Sequence, residues 1–149
     1  MRVILQRVSK ALVSIEGVNY SQIDQGLLIL LGITHEDSQL DIDWLVQKII
    51  SLRIFSDDKR KMNLSVQEVK GEVLVVSQFT LFASTKKGNR PSFVNAANPE
   101  RALSLYEKFV DAFKCNGIIV QTGVFGANMQ VELINDGPIT LILDSKNKE

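Results

Sequence analysis

The run Gly26-Leu27-Leu28-Ile29-Leu30-Leu31-Gly32-Ile33 restricts the fold more than any other stretch of the chain. A short, continuous apolar segment bracketed by glycines reads better as a β-strand buried on both faces than as a helix. Such a strand belongs in the middle of a sheet, so the remaining elements must cover it from two sides. With 149 residues, the chain is long enough for one core, and a single domain over residues 1–149 is expected.

The elements around that strand follow from local patterns. Alternation across Arg2-Val3-Ile4-Leu5-Gln6-Arg7-Val8 and across Ala11-Leu12-Val13-Ser14-Ile15-Glu16 predicts two strands forming a hairpin, with Gly17 opening a turn. Ser38 and Asp41 resemble a capping box, and Ile42, Leu45, Val46, Ile49 and Ile50 repeat at helical spacing, predicting a helix over 39–51. Leu52-Arg53-Ile54-Phe55 reads as a strand leading into the solvated loop 56–61. Residues 72–82 read as a long strand, followed by a polar loop. Asn98-Pro99-Glu100 starts a second helix, with Ala102, Leu105, Tyr106, Phe109, Val110 and Phe113 as its buried stripe and Gly117 at its end. Residues 118–122, 129–134 and 139–143 read as strands, the last two separated by Asn135-Asp136-Gly137-Pro138. The expected class is α+β: a curved, largely antiparallel sheet or open barrel with two amphipathic helices packed outside, parallel pairings remaining possible.

Charge and rare residues narrow the chemistry. Lysine plus arginine (17) balances aspartate plus glutamate (17), which disfavours a protein that holds nucleic acid by bulk electrostatics and leaves contact through a local patch open. One cysteine, Cys115, and one histidine, His35, exclude a disulfide framework and a usual zinc ligand set. No metal and no cofactor are expected. The single histidine also restricts nucleophile–histidine arrangements. His35 lies in a polar turn and reads as exposed; Cys115, on the last turn of a helix, reads as partly buried packing. No apolar run has spanning length and no cleavable leader is recognisable, so the cytoplasm is the expected compartment.

Four segments could carry function. In Ser77-Gln78-Phe79-Thr80, strand alternation would put the Gln78 amide and the Thr80 hydroxyl on one face, although ordinary strand hydrogen-bonders fit as well. Asn135-Asp136-Gly137-Pro138-Ile139-Thr140 could aim two backbone carbonyls in one direction, or could be a plain hairpin turn before an edge strand. Lys86, Lys87 and Arg90 form a cationic loop that could contact phosphates or merely be solvated. Gly123-Val124-Phe125-Gly126-Ala127-Asn128-Met129 could admit a flat ligand such as a base, or contain a bulge.

Taken together, Ser77-Gln78-Phe79-Thr80-Leu81, Thr85-Lys86-Lys87-Gly88-Asn89-Arg90-Pro91-Ser92-Phe93 and Asn135-Asp136-Gly137-Pro138-Ile139-Thr140 resemble the D-aminoacyl-tRNA deacylase family. Met1-Arg2-Val3-Ile4-Leu5-Gln6-Arg7-Val8 and the stretch 123–131 extend the resemblance over essentially the whole chain, in the family's order and spacing. Phe82, Ser84 and Ile139 are small, conservative or off-motif departures.

The resemblance implies a homodimeric hydrolase that removes D-amino acids, and glycine, from the acceptor end of tRNA, with its active sites at the subunit interface. It implies that Ser77, Gln78, Phe79 and Thr80 lie beside the scissile ester, and that Gly137 and Pro138, joined by a cis peptide and braced by Arg7, reach into the partner's pocket. Phe125, Gly126 and Met129 would border the terminal adenosine. Backbone N–H groups of Phe79 and Thr80 would serve as oxyanion donors in a direct hydrolysis, with a covalent Thr80 intermediate as the alternative. A non-enzymatic RNA- or ligand-binding module using Lys86, Lys87 and Arg90 is the rival from another class.

Overall fold

The Gly26–Gly32 strand is central, as its composition requires. In a computed structural model, which describes residues 1–148, the strands are β1 (Arg2–Ile15), β2 (Val18–Ile23), β3 (Gly26–Gly32), β4 (Phe55–Ser56), β5 (Met62–Leu64), β6 (Glu72–Ser77), β7 (Val120–Thr122) and β8 (Gln130–Asp144). The helices are α1 (Gln39–Ser51) and α2 (Pro99–Cys115), and Phe79–Phe82 forms a 3-10 turn.

The main sheet runs β2-β1-β3-β6-β7, with β8 on the other side of β1. It is curved, nearly closed and mixed. Pairings of β1 with β2, β3 and β8 are antiparallel, whereas β3–β6 and β6–β7 are parallel. Antiparallel pairing predominates, as expected, and the parallel pairings that the sequence left possible are these two ladders. Each needs a crossover: α1 with the small β4–β5 ribbon spans one, and α2 spans the other.

Both faces of β3 are covered. Leu27, Ile29 and Leu31 face a cluster that includes Leu45, Ile49, Phe109 and Phe113 from the two helices. Leu28 faces a second cluster with Val8, Val13, Ile23, Leu74 and Val76, enclosed by the sheet's own curvature. Helix α1 occupies the expected residues, and the Ser38 N–H donates to the Asp41 carboxylate at 2.8 Å to open it. Asn98 caps α2 by accepting from the Arg101 N–H at 2.9 Å, with Pro99 in the first turn.

Several boundaries differ from the sequence expectation. Segments 2–8 and 11–16, apart from Glu16 in the turn that follows, belong to one strand, β1, and the hairpin partner of its second half is β2. Only Phe55 of residues 52–55 enters a strand. The strand expected over 72–82 ends at Ser77, where the Gln78 N–H donates to the Leu31 carbonyl at 2.8 Å and the chain turns. Residues 129–134 and 139–143 lie almost wholly within one strand, β8, both halves pairing with β1. Asn135 to Pro138 therefore reverse nothing, and the hairpin-turn alternative falls. Cys115 is exposed, against the expected packing role, and His35 is exposed as expected.

Candidate active site

A cavity of about 570 Å³ opens where β3 and β6 end, between the start of α2 and the loop 123–129. Strand ends of this kind are where a sheet hands its chain to loops, and so where polar groups can be presented. Ser77, Gln78 and Phe79 line it from one side; Phe125, Gly126 and Met129 line it from the other. Two of the four segments singled out in the sequence thus share one mostly apolar cavity.

The 3-10 turn defines the polar rim. Its hydrogen bonding begins with the Leu81 N–H donating to the Gln78 carbonyl at 3.2 Å, so the Phe79 and Thr80 N–H groups fall outside the intraturn pattern. Gln78 and Thr80 come together, but through this turn and not through the strand alternation expected from sequence. The Gln78 side-chain amide donates to the Thr80 hydroxyl. Thr80 itself is exposed, and its side-chain partner is an amide, which is no base in either orientation.

Aromatic rings shape the cavity. Phe79, 57% exposed, meets Phe93 edge-on at 4.9 Å between centroids. Phe125 packs against Tyr106 at 5.8 Å, and the Tyr106 hydroxyl donates to the Val75 carbonyl at 2.8 Å. Burial pushes the Tyr106 phenol well above its ordinary range, which keeps it a neutral donor. Phe93 also lines the cavity, a role that the sequence motifs do not assign to it. An aromatic residue in a polar loop was the available signal. Its loop is pinned by the Thr34 hydroxyl, which donates to the Asn95 carbonyl at 2.7 Å, and by the Ala97 N–H on the Ile33 carbonyl at 2.9 Å.

Gly137 and Pro138 are not among the cavity's walls. Opposite Val8 and Gln6 of β1 stand Asn135 and Thr140 of β8, so Arg7 alone faces the four residues 136–139. The excess chain projects as an excursion of β8, with Gly137 at φ 123° and a cis peptide before Pro138. Asn135 closes its neck by donating to the Arg7 carbonyl at 3.0 Å and to the Ile139 carbonyl at 2.9 Å. Arg7 is buried beneath it. Its guanidinium donates to the Asp136 carbonyl at 3.1 Å and to the Ile54 carbonyl at 2.5 Å, and it pairs with the Asp136 carboxylate at 3.1 Å. Arg7 thus braces the turn physically.

Lys86, Lys87 and Arg90 are exposed on the loop that follows the 3-10 turn. Paired hydrogen bonds between Ser84 and Ser92, at 2.7 and 2.9 Å, close the base of that loop.

The model of the D-Tyr-tRNA(Tyr) deacylase family matches residues 4–144. The chain belongs to that family. As a family of deacylases, these are hydrolases acting on an ester bond, in agreement with the resemblance read from the motifs. A D-aminoacyl-tRNA deacylase of Cytophaga hutchinsonii is 59% identical over 150 residues, covering 100% of both chains. The corresponding protein of Flavobacterium johnsoniae is 57% identical with the same coverage. Among solved structures, the c-Myc DNA unwinding element binding protein superposes with a TM-score of 0.90 at 40% identity, over 97% of this chain and 98% of that one. A probable eukaryotic D-amino acid tRNA deacylase superposes with a TM-score of 0.79 at 18% identity, over 95% and 97%, a likeness of fold.

Proposed function

We propose that this chain is a single-domain cytoplasmic enzyme that hydrolyses the ester of D-aminoacyl-tRNA, and of glycyl-tRNA, acting as a homodimer. The observation that carries the reading is the 3-10 turn: it leaves the Phe79 and Thr80 N–H groups outside its own hydrogen-bond pattern, with Phe79 lining an apolar cavity and Thr80 the next residue along the chain. The apolar wall with Phe125, Gly126 and Met129 suits the terminal adenosine. The tRNA acceptor stem would pass Lys86, Lys87 and Arg90.

Water attacks the ester carbonyl, and the oxyanion that forms is held by the Phe79 and Thr80 N–H groups, with Gln78 in support. The intermediate then collapses, the ribose oxygen leaves with a proton, and free D-amino acid and tRNA result. An amino-acid ester on ribose is activated enough that positioning and oxyanion stabilisation suffice. Among the described residues the hydrogen bond to the Thr80 hydroxyl comes from the Gln78 amide and not from a base, and the ribose 2′-hydroxyl of the substrate orients the water instead.

Chirality is selected by Gly137 and Pro138 of the other subunit. Their carbonyls hold the α-amino group and crowd the space of an L side chain, while a D side chain points outward. Glycine, without a β-carbon, passes. Two features support the shared site. The excursion lies outside the cavity of its own chain. Strand β8 pairs only with β1 among the described residues, leaving an edge that carries Ile134 and Ile142, 62% and 70% exposed. No helix among the described residues is long and apolar enough to cross a membrane.

The test is deacylation of matched D-tyrosyl-, L-tyrosyl- and glycyl-tRNA by the purified protein, with and without a chelator. Release of D-tyrosine and glycine with L-tyrosine spared is expected. Binding of RNA without release from any substrate would favour the binding-module reading.

A further inference from the structure

The 3-10 turn is seated on two cross-strand neighbours. Arg2 of β1 stands opposite Gly32 of β3 in the ladder. A Cβ at Gly32 would lie 2.9 Å from the Leu81 Cβ, 3.2 Å from the Gln78 carbonyl oxygen and 3.2 Å from the Phe82 ring. The turn therefore rests directly on the glycine backbone, a contact that any side chain would break.

Arg2 closes the seat from the side. Its Nη1 donates to the Leu81 carbonyl at 2.8 Å, and its Cζ lies 4.9 Å from the centre of the Phe82 ring. That carbonyl is at the end of the turn, where it would look to the Ser84 N–H, but Ser84 donates to Ser92 at 2.7 Å instead. Arg2 supplies the missing donor. The guanidinium is in turn oriented by Asp144, which accepts from Nε at 3.1 Å and from Nη2 at 3.0 Å. Carboxylate, guanidinium, carbonyl and ring form one chain of contacts from the end of β8 to the turn.

We propose that Arg2 is a positioning residue for the reaction, clamping the 3-10 turn that carries Phe79 and Thr80, with Asp144 holding the clamp in register. The inference rests on the reading of that turn as the ester-cleaving element. Arg2 is not among the residues that line the cavity. It acts by fixing donors whose placement the rate depends on steeply, and a misplacement of about 1 Å is enough to cost roughly 100-fold in rate.

Steady-state kinetics on D-tyrosyl-tRNA, with thermal melts, test this in wild type, Arg2→Met, Arg2→Lys and Asp144→Asn. Arg2→Met is expected to lower kcat roughly 10- to 100-fold with KM held within about threefold and the D-to-L ratio unchanged. Arg2→Lys should recover part of kcat, because an ammonium reaches the Leu81 carbonyl yet lacks the fork that engages Asp144. Asp144→Asn should fall between wild type and Arg2→Met, and it and Arg2→Lys carry the test if Arg2→Met does not fold. An unchanged kcat in the folded variants, or a lowered Tm with only KM affected, overturns the clamp and leaves the deacylase reading standing. A wild-type protein that releases nothing overturns both.

Discussion

Replacing Gly137 by alanine probes the excursion of β8 at its most constrained point. The residue has φ 123°, a conformation essentially restricted to glycine. A Cβ there would lie 2.9 Å from the Ile139 Cγ1, 3.0 Å from Arg7 Nη2 and 3.3 Å from the Ile139 N. Ile139 can yield only by leaving its rotamer. Arg7 can hardly yield at all, since Nη1 is held by the Ile54 carbonyl at 2.5 Å and Nε by the Asp136 carbonyl at 3.1 Å. Backbone strain of about 1–3 kcal/mol plus a rotamer cost of about 0.5–1.5 kcal/mol gives roughly 2–4 kcal/mol. At ~2–4 °C per kcal/mol for a chain of this size, the melting temperature should drop by roughly 5–15 °C. A relaxed turn also moves the two carbonyls proposed to hold the α-amino group. Deacylation of D-tyrosyl-tRNA should fall about 10- to 100-fold in kcat/KM, and the ratio of D to L rates should fall with it. Differential scanning calorimetry and paired D and L time courses read the two effects separately. An unchanged D-to-L ratio in a variant whose melting point has dropped would refute the chiral role, and an unchanged melting point would refute the steric reasoning itself.

Thr80→Ala separates the two hydrolytic routes: direct attack by water predicts substantial retained activity with an intact fold, and near-complete loss would establish a covalent role for the hydroxyl. Acid stability should depend on Asp41. Burial raises its carboxyl, but hydrogen bonds from Ser145, Lys146 and Ser38 outweigh this and hold it well below the ordinary 3.8. A depressed folded-state value contributes stability above the unfolded value, and that contribution is lost as pH falls through 3.8 and below. Asp41→Asn should therefore cost roughly 1–3 kcal/mol at pH 7, with the difference from wild type shrinking below about pH 4. Melts of the two proteins from pH 7 to 3 check this, and parallel curves would reject it.

What was legible in the sequence was what local pattern decides. The Gly26–Gly32 strand and both helices carry their own periodicity and caps, and tertiary structure leaves them unaltered. The long strands were divided wrongly because their interruptions look like turns. Ser9 and Lys10 are exposed where the ladder of β1 shifts register, and Asn135 to Pro138 have the composition of a reversal. Only the pairing of both halves of β8 with the same β1 reveals a continuous strand, and pairing is not local. Residues 72–82 show the converse error. Apolar residues continue past Ser77, so nothing in the pattern marks the end of the strand. The end is imposed by Gly32 and the Leu31 carbonyl, which receive the turn. Gln78 and Thr80 do meet, but in a 3-10 turn and not through the strand alternation that their sequence suggests.

The separation of the two motifs accounts for the proposed assembly. A filter that reads the hand of an amino acid must be rigid relative to the group that cleaves the ester, yet the excursion and the cavity lie apart within one chain. Arg7 and Asn135 make the excursion rigid from below and at its neck. Nothing in its own chain places it over the 3-10 turn. A second copy, added along the free edge of β8, would supply that placement while covering Ile134 and Ile142. Each subunit would then lend its turn and borrow its filter. In this reading the selectivity resides in backbone carbonyls that never contact the substrate side chain, and this is why one enzyme would accept many D-amino acids and could not exclude glycine.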